Sequence, residues 1–250
     1  MGLLDYPPMT STCAAGANHL VRFFTTDKAL ADTVSDFVAG GFALGERAVV
    51  AATPARAFAI RAALKKRGHH RLEDRVSFVC ADQAAEAIAK DGKADRAAFK
   101  RFVAPVVAAA AKASANGRAR VYGEIVDVLW HSHREDAAAD LESFWTAFGK
   151  TEKFTLLCGY KIDPFDRRRA AWDLVESHDS VLPCPENNRD LKRVESALER
   201  ALGSQAGMVR SLVQAEPRLR GLPFAQAAML WLGRHMPILA SKVAAETIAA

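Results

Sequence analysis

The stretch Arg120–His133, RVYGEIVDVLWHSH, holds both halves of the fold. Its opening Arg-Val-Tyr continues a run from Arg118 with the β-branched and aromatic character of a strand. After Gly123 and Glu124 the spacing changes, and Ile125, Val128 and Leu129 fall on one side of a short helix. A strand that runs straight into a helix is the repeating unit of a parallel α/β sheet. The same stretch leaves a carboxylate, Glu124, at the end of an apolar run. Burying an unpaired carboxylate costs several kcal/mol, so Glu124 needs a partner, water or a ligand.

The alternation extends in both directions. HLVRFF (19–24) reads as a strand and 27–42 as a helix with Leu30, Val34, Phe37 and Val38 on one face. RAVVAA (47–52) is apolar throughout, as expected of a strand covered on both faces. Thr53 then offers an N-cap and Pro54 a first-turn proline to a helix over 54–67 that Gly68 ends. RVSFVC (75–80) is the next strand, followed by the helical DQAAEAIAK. A long alanine-rich helix is expected over 95–115, a helix around Leu141, Phe144, Trp145 and Phe148, and a last strand at FTLLCGY (154–160). The fold class is therefore α/β, a mostly parallel sheet with helices on both faces, plus a C-terminal helical appendage. We divide the chain into a flexible N-terminus (1–18), the α/β domain (19–185) and a helical tail (186–250) broken at Gly207, Pro217, Gly221 and Pro223.

Of 250 residues, 50% are hydrophobic and 25% charged, the balance of a globular protein with a sizeable core. The formal net charge of +5 is scattered along the chain, which argues against a nucleic-acid partner. No basic segment followed by an apolar one marks a signal peptide, and Tyr6 stands where a myristoylation signal wants Ser or Thr. No window offers about 18 uninterrupted apolar residues, so no membrane span is expected. The four cysteines lie far apart without a CxxC pair, which suits reduced thiols in a cytoplasm better than a disulfide framework or a zinc site. His131 and His133 lack neighbouring ligands and read as surface histidines; no metal and no cofactor is expected.

Ligands of open parallel sheets bind at the carboxyl ends of the strands. That rim would gather Phe24 and Thr25, Thr53 and Arg56, Cys80 and Asp82, Glu124, and Cys158 and Tyr160. Two roles fit Glu124: lining a ligand crevice, or capping its own helix and pairing with an arginine. VVAATPARAFAIR sits where a phosphate loop would, but it lacks the glycines and the Gly-Lys-Ser/Thr. A weaker anion site at the amides of residues 54–56 stays open. No catalytic motif appears, and the chain reads as a non-enzyme.

GRARVYGEIVDVLW, DLESFW, FTLLCGY and ESHDSVLP, in that order, resemble the successive blocks of the MEDS domain, the sensory domain of methanogen and methylotroph regulators. The opening HLVRFF…FVAGGFALGERAVVAAT is similar to its first block, so the resemblance covers about residues 17–185. It implies a sensor of small organic ligands such as hydrocarbon derivatives, found beside histidine kinases or DNA-binding domains. It also implies a RecA-like core without its phosphate loop. His19, Glu124, Glu142, Cys158, Tyr160 and His178 match the family's recurrent polar or aromatic positions. The residues before 19 and after 185 match neither a helix-turn-helix nor a kinase ATP-binding domain. WLGRHMPILASKV (231–243) resembles a kinase phospho-acceptor helix only faintly, since His235 and Pro237 are two apart rather than about five.

The leading expectation is a cytoplasmic signal-sensing protein with a small organic ligand at the strand ends. Glu124 and Tyr160 would give polar specificity, Phe24, Tyr122 and Cys158 the walls, with Thr53, Arg56 and His19 alongside. The tail would relay binding to a regulatory partner such as a kinase or transcription regulator, or form a homodimer through Trp231, Leu232 and Leu239. Two alternatives stand beside it: a residual nucleotide-binding or hydrolytic protein, with Arg56 and the amides after Thr53 holding phosphates, and a structural adaptor with a vestigial pocket.

Overall fold

The computed structural model describes residues 18–248, so the expected flexible N-terminus lies, apart from Asn18, outside them. The chain divides into two compact units. The first holds the described residues up to Leu20 and Thr26–Tyr160; the second holds Val21–Thr25 and the chain from Lys161. Strand β1 (His19–Phe24) is divided between them.

In the first unit, β1 leads to helix α1 (Asp27–Ala43), then β2 (Arg47–Ala52), α2 (Pro54–Lys66), β3 (Val76–Cys80) and α3 (Ala81–Ile88). The hairpin β4 (Ala89–Lys90) and β5 (Lys93–Ala94) follows, then α4 (Arg96–Phe102), α5 (Ala104–Lys112) and β6 (Ala119–Gly123). Helices α6 (Ile125–His131) and α7 (Glu135–Phe148) precede β7 (Phe154–Lys161). With β8 (Ser180–Val181) of the second unit, the main sheet runs β3-β2-β6-β7-β1-β8. The pairs β2/β3, β2/β6 and β6/β7 are parallel, with Ala51 opposite Gly123 and Gly123 opposite Cys158. Ala48–Ala52 are all buried, so β2 is covered on both faces, which is why it reads as an unbroken apolar run.

Local chemistry sets the element ends. Thr26 caps α1 by accepting a hydrogen bond from the Ala29 amide at 3.3 Å. Thr53 does not cap α2 with its side chain, contrary to expectation, and Pro54 starts that helix without help. The expected long helix over 95–115 is two helices separated at Val103. Pro105 lacks an amide hydrogen, and its ring would collide with the Arg101 carbonyl of a continuous helix. The sequence reading also passed over the hairpin, whose turn residues Asp91 and Gly92 both have positive φ. Phe99 meets Trp145 edge to face at 5.0 Å, and Trp145 meets Phe154 at 5.8 Å, so an aromatic cluster ties α4 and α7 to β7.

The second unit carries α8 (Arg169–Glu176), α9 (Asn188–Leu202), α10 (Ala206–Ala215), α11 (Phe224–His235) and α12 (Pro237–Ile248). The Leu182 amide donates to the Val21 carbonyl at 2.7 Å. The first tail break falls at Gly203, with φ of 54°, not at Gly207, which lies inside α10. Pro237 interrupts the tail and starts α12. Helix α9 is pinned to α12 by Arg200 on Glu246 at 2.8 Å and by Arg193 donating to the Thr247 carbonyl. His235, the residue of the faint phospho-acceptor resemblance, stacks against Trp231 at 4.8 Å and meets Trp172 edge-on at 5.5 Å.

Gly159, in the middle of β7, has the tyrosine ring of β6 laid over it: a Cβ there would stand 2.7 Å from the Tyr122 hydroxyl and 2.9 Å from its ring. Gly159→Ala is therefore expected to destabilise the protein by about 1–3 kcal/mol. Urea denaturation beside the wild type measures this, and an unchanged midpoint would mean that Tyr122 is free to move aside.

Candidate functional site

The strand order reverses between β2 and β6. From β2 the chain moves outward to β3, and from β6 it moves the other way to β7. Such a reversal leaves a crevice at the carboxyl ends of the two strands, the usual ligand position in open α/β sheets. The residues that follow these ends are Thr53 and Glu124.

Glu124 is fully buried. Its amide donates to the Ala51 carbonyl at 3.0 Å, which carries the β2/β6 pairing one residue further. Its Oε1 accepts from the Thr53 amide at 2.5 Å, its Oε2 accepts from the Tyr122 hydroxyl at 2.8 Å, and Arg56 Nη1 stands 3.4 Å from Oε2. Of the two bland roles expected for this acid, pairing with an arginine is seen; its side chain does not cap its own helix. Arg56 also donates to Asp127 at 2.6 Å and to Asp27 at 3.1 Å. Three carboxylates therefore share one guanidinium. Asp127 further lies 3.1 Å from His131 Nδ1, so that histidine belongs to the same network.

Burial raises the Glu124 pKa, against the opposing pull of the Thr53 amide, Arg56 and Tyr122. Burial, and then the Glu124 charge, push the Tyr122 phenol well above its ordinary value, which keeps it a proton donor. For Arg56, burial works to lower the pKa, but the Asp127 hydrogen bond and the Glu124 and Asp127 charges outweigh it and raise it. The three acids thus outnumber the permanent cation.

A second buried acid, Glu142 of α7, organises another cluster in the same unit. Its Oε1 accepts from the Tyr160 hydroxyl at 2.6 Å, and its Oε2 lies 3.0 Å from His19 Nε2 and 3.5 Å from Cys158 Sγ. His19 Nε2 and Cys158 Sγ are also 3.5 Å apart, and Thr146 Oγ1 stands 3.3 Å from His19 Nδ1. Burial and the Glu142 charge hold the Cys158 thiol and the Tyr160 phenol well above their usual pKa values. His178 is buried in the second unit, its Nδ1 2.6 Å from the Leu174 carbonyl.

The expected strand-end residues thus separate. Thr53, Arg56, Tyr122 and Glu124 meet at the carboxyl ends of β2 and β6, whereas His19, Cys158 and Tyr160 meet around Glu142. Phe24 is buried at the end of β1, in the second unit, its carbonyl accepting from the Ile162 amide at 3.3 Å. The sequence reading missed Asp27 and Asp127 as partners of Arg56. Asp127 follows Glu124 by three residues, one helical turn, and that spacing could have flagged it. The second unit has a cleft of about 880 Å³ bordered by residues 163–168 and α9, where Arg168 pairs with Asp166 at 2.7 Å.

The unit is thus an open, mostly parallel α/β sheet with a buried acid at its reversal point and no phosphate loop after β2. The family model described as MEDS, the methanogen/methylotroph, DcmR sensory domain, matches residues 18–179, and the chain belongs to this family. No curated protein and no solved structure matches it significantly. Among the described residues, no helix is long and apolar enough to cross a membrane.

Because the folded-state pKa of Glu124 is raised, its contribution to stability is whole below the ordinary value of 4.5 and is lost as pH rises through the folded pKa. Glu124→Gln imitates the protonated acid and does not lose it. The stability of the wild type relative to Glu124→Gln should therefore fall as pH rises from 4.5 toward neutrality, as read by urea denaturation at a series of pH values. A difference that rises with pH would mean that Arg56 and the two donors outweigh burial.

Proposed function

We propose that this sensory-domain protein binds a small organic molecule bearing a hydroxyl or amino group at the β2/β6 crevice. The observation that supports this is the convergence of Glu124, Asp127 and Asp27 on Arg56 at the point where the strand order reverses. An excess of carboxylate favours a hydrogen-bond donor or a cation and opposes an anion. Glu124 would accept from the ligand, Tyr122 and the Thr53 amide would keep the carboxylate in place, and Arg56 would hold the three acids together.

The nucleotide alternative draws less support from the same geometry. Arg56, which would hold a phosphate together with the amides after Thr53, already serves Glu124, Asp127 and Asp27. The sensing role follows from family membership; the ligand class and the route of the signal are our reading. Ligand binding would bias the helices α9–α12 toward one arrangement, and these would act on a regulatory protein, such as a kinase or transcription regulator, or on a second copy of the chain. Such a relay requires the ligand to bind one arrangement more tightly than the other.

Titration calorimetry and thermal shift with a panel of small alcohols and amines test the site. A ligand of the wild type should bind Glu124→Ala and Arg56→Lys at least tenfold more weakly, about 1.4 kcal/mol. Equal binding by all three proteins would overturn the assignment. Binding of ATP with magnesium at millimolar concentration, lost in Arg56→Lys, would favour the nucleotide reading instead.

A further inference from the structure

We propose that His19, Glu142 and Cys158 form a binding site for a divalent ion of the zinc type. The inference rests on residues outside the β2/β6 crevice and stands whether or not that crevice takes an organic ligand.

The donor atoms are an imidazole nitrogen, a carboxylate oxygen and a sulfur, the three kinds that zinc takes from proteins. All three residues are buried, at 8%, 1% and 0% exposure. Their mutual separations are 3.0 Å from Nε2 to Oε2 and 3.5 Å from Sγ to each of the others. Around a tetrahedral zinc ion with ordinary bond lengths, neighbouring N, O and S ligands stand about 3.3–3.6 Å apart. The three side chains would thus have to move by only a few tenths of an ångström to receive the ion.

The far sides of two ligands are also held. Thr146 Oγ1 faces His19 Nδ1 at 3.3 Å, which turns Nε2 toward the other donors. The Tyr160 hydroxyl donates to Glu142 Oε1 at 2.6 Å, which leaves Oε2 as the inward oxygen. Outer partners of this kind orient and tune metal ligands. The donors come from regular elements, β1, α7 and β7, and β1 lies beside β7 through the Leu156 amide on the Asn18 carbonyl at 2.7 Å. A cation would compensate the buried Glu142 charge, and on binding the Cys158 proton would leave to solvent as the thiolate forms. The competing description is a hydrogen-bonded cluster with no ion, in which Glu142 accepts from its neighbours.

The test uses the full chain without a histidine tag. Equilibrium dialysis against micromolar zinc, followed by elemental analysis, should give about one zinc per chain in the wild type. Cys158→Ala and His19→Ala should retain less than a tenth of that while keeping a native far-ultraviolet dichroism spectrum. Tyr160→Phe, which removes only an outer partner, should still bind, with affinity lower by roughly 10-fold or more. If the ligand variants fail to fold, cobalt substitution decides. A variant with Cys13, Cys80 and Cys184 changed to serine keeps Cys158 alone and should show thiolate-to-cobalt charge-transfer absorption. A folded wild type that retains no zinc, or a cobalt complex of the Cys158-only variant without that absorption, would overturn the site and leave the hydrogen-bonded cluster.

Discussion

The arrangement at the carboxyl ends of β2 and β6 depends on Arg56. Its guanidinium touches acids from three places in the sequence: Asp27 in the first turn of α1, Glu124 just before α6, and Asp127 within α6. Glu124 and Asp127 are buried, so each needs compensation where water cannot supply it. A planar guanidinium can serve several acceptors at once, whereas an ammonium acts as a point charge. Taking that partner away leaves buried charge unpaired, which typically costs about 3–5 kcal/mol. The ends of two strands and the starts of three helices are therefore fixed by one side chain.

Glu124 and Glu142 are both buried acids, yet their surroundings differ. Around Glu124 stand a guanidinium, a backbone amide and a phenol, which together hold a carboxylate in place. Around Glu142 stand an imidazole, a thiol and a phenol, of which the first two are good metal donors. The same residue type thus supports two kinds of chemistry within one unit, and the neighbours decide which.

Much of the α/β unit was legible because its signals are local. The unbroken apolar run of β2, the change of spacing after Gly123 and Pro54 at a helix start each need only a few adjacent residues to be read. The division of the alanine-rich helix at Val103 was also local, but the run of alanines masked Pro105. The hairpin of β4 and β5 was too short to show a period. The two acid clusters could not be read in the same way. His19 and Glu142 are 123 positions apart, and Arg56 and Asp127 are 71 apart, so strand order brings them together and no spacing rule does. Glu124 stood out because a carboxylate interrupts an apolar run; Glu142 sits in an amphipathic helix, where an acid is unremarked.

Tyr122 stands between Glu124 and the neighbouring strand β7. Its hydroxyl donates to Glu124, and its ring fills the space above Gly159, the residue between Cys158 and Tyr160. The bare α-carbon at 159 is what makes room for the ring, so a residue without a side chain on one strand sets where the phenol on the next can stand.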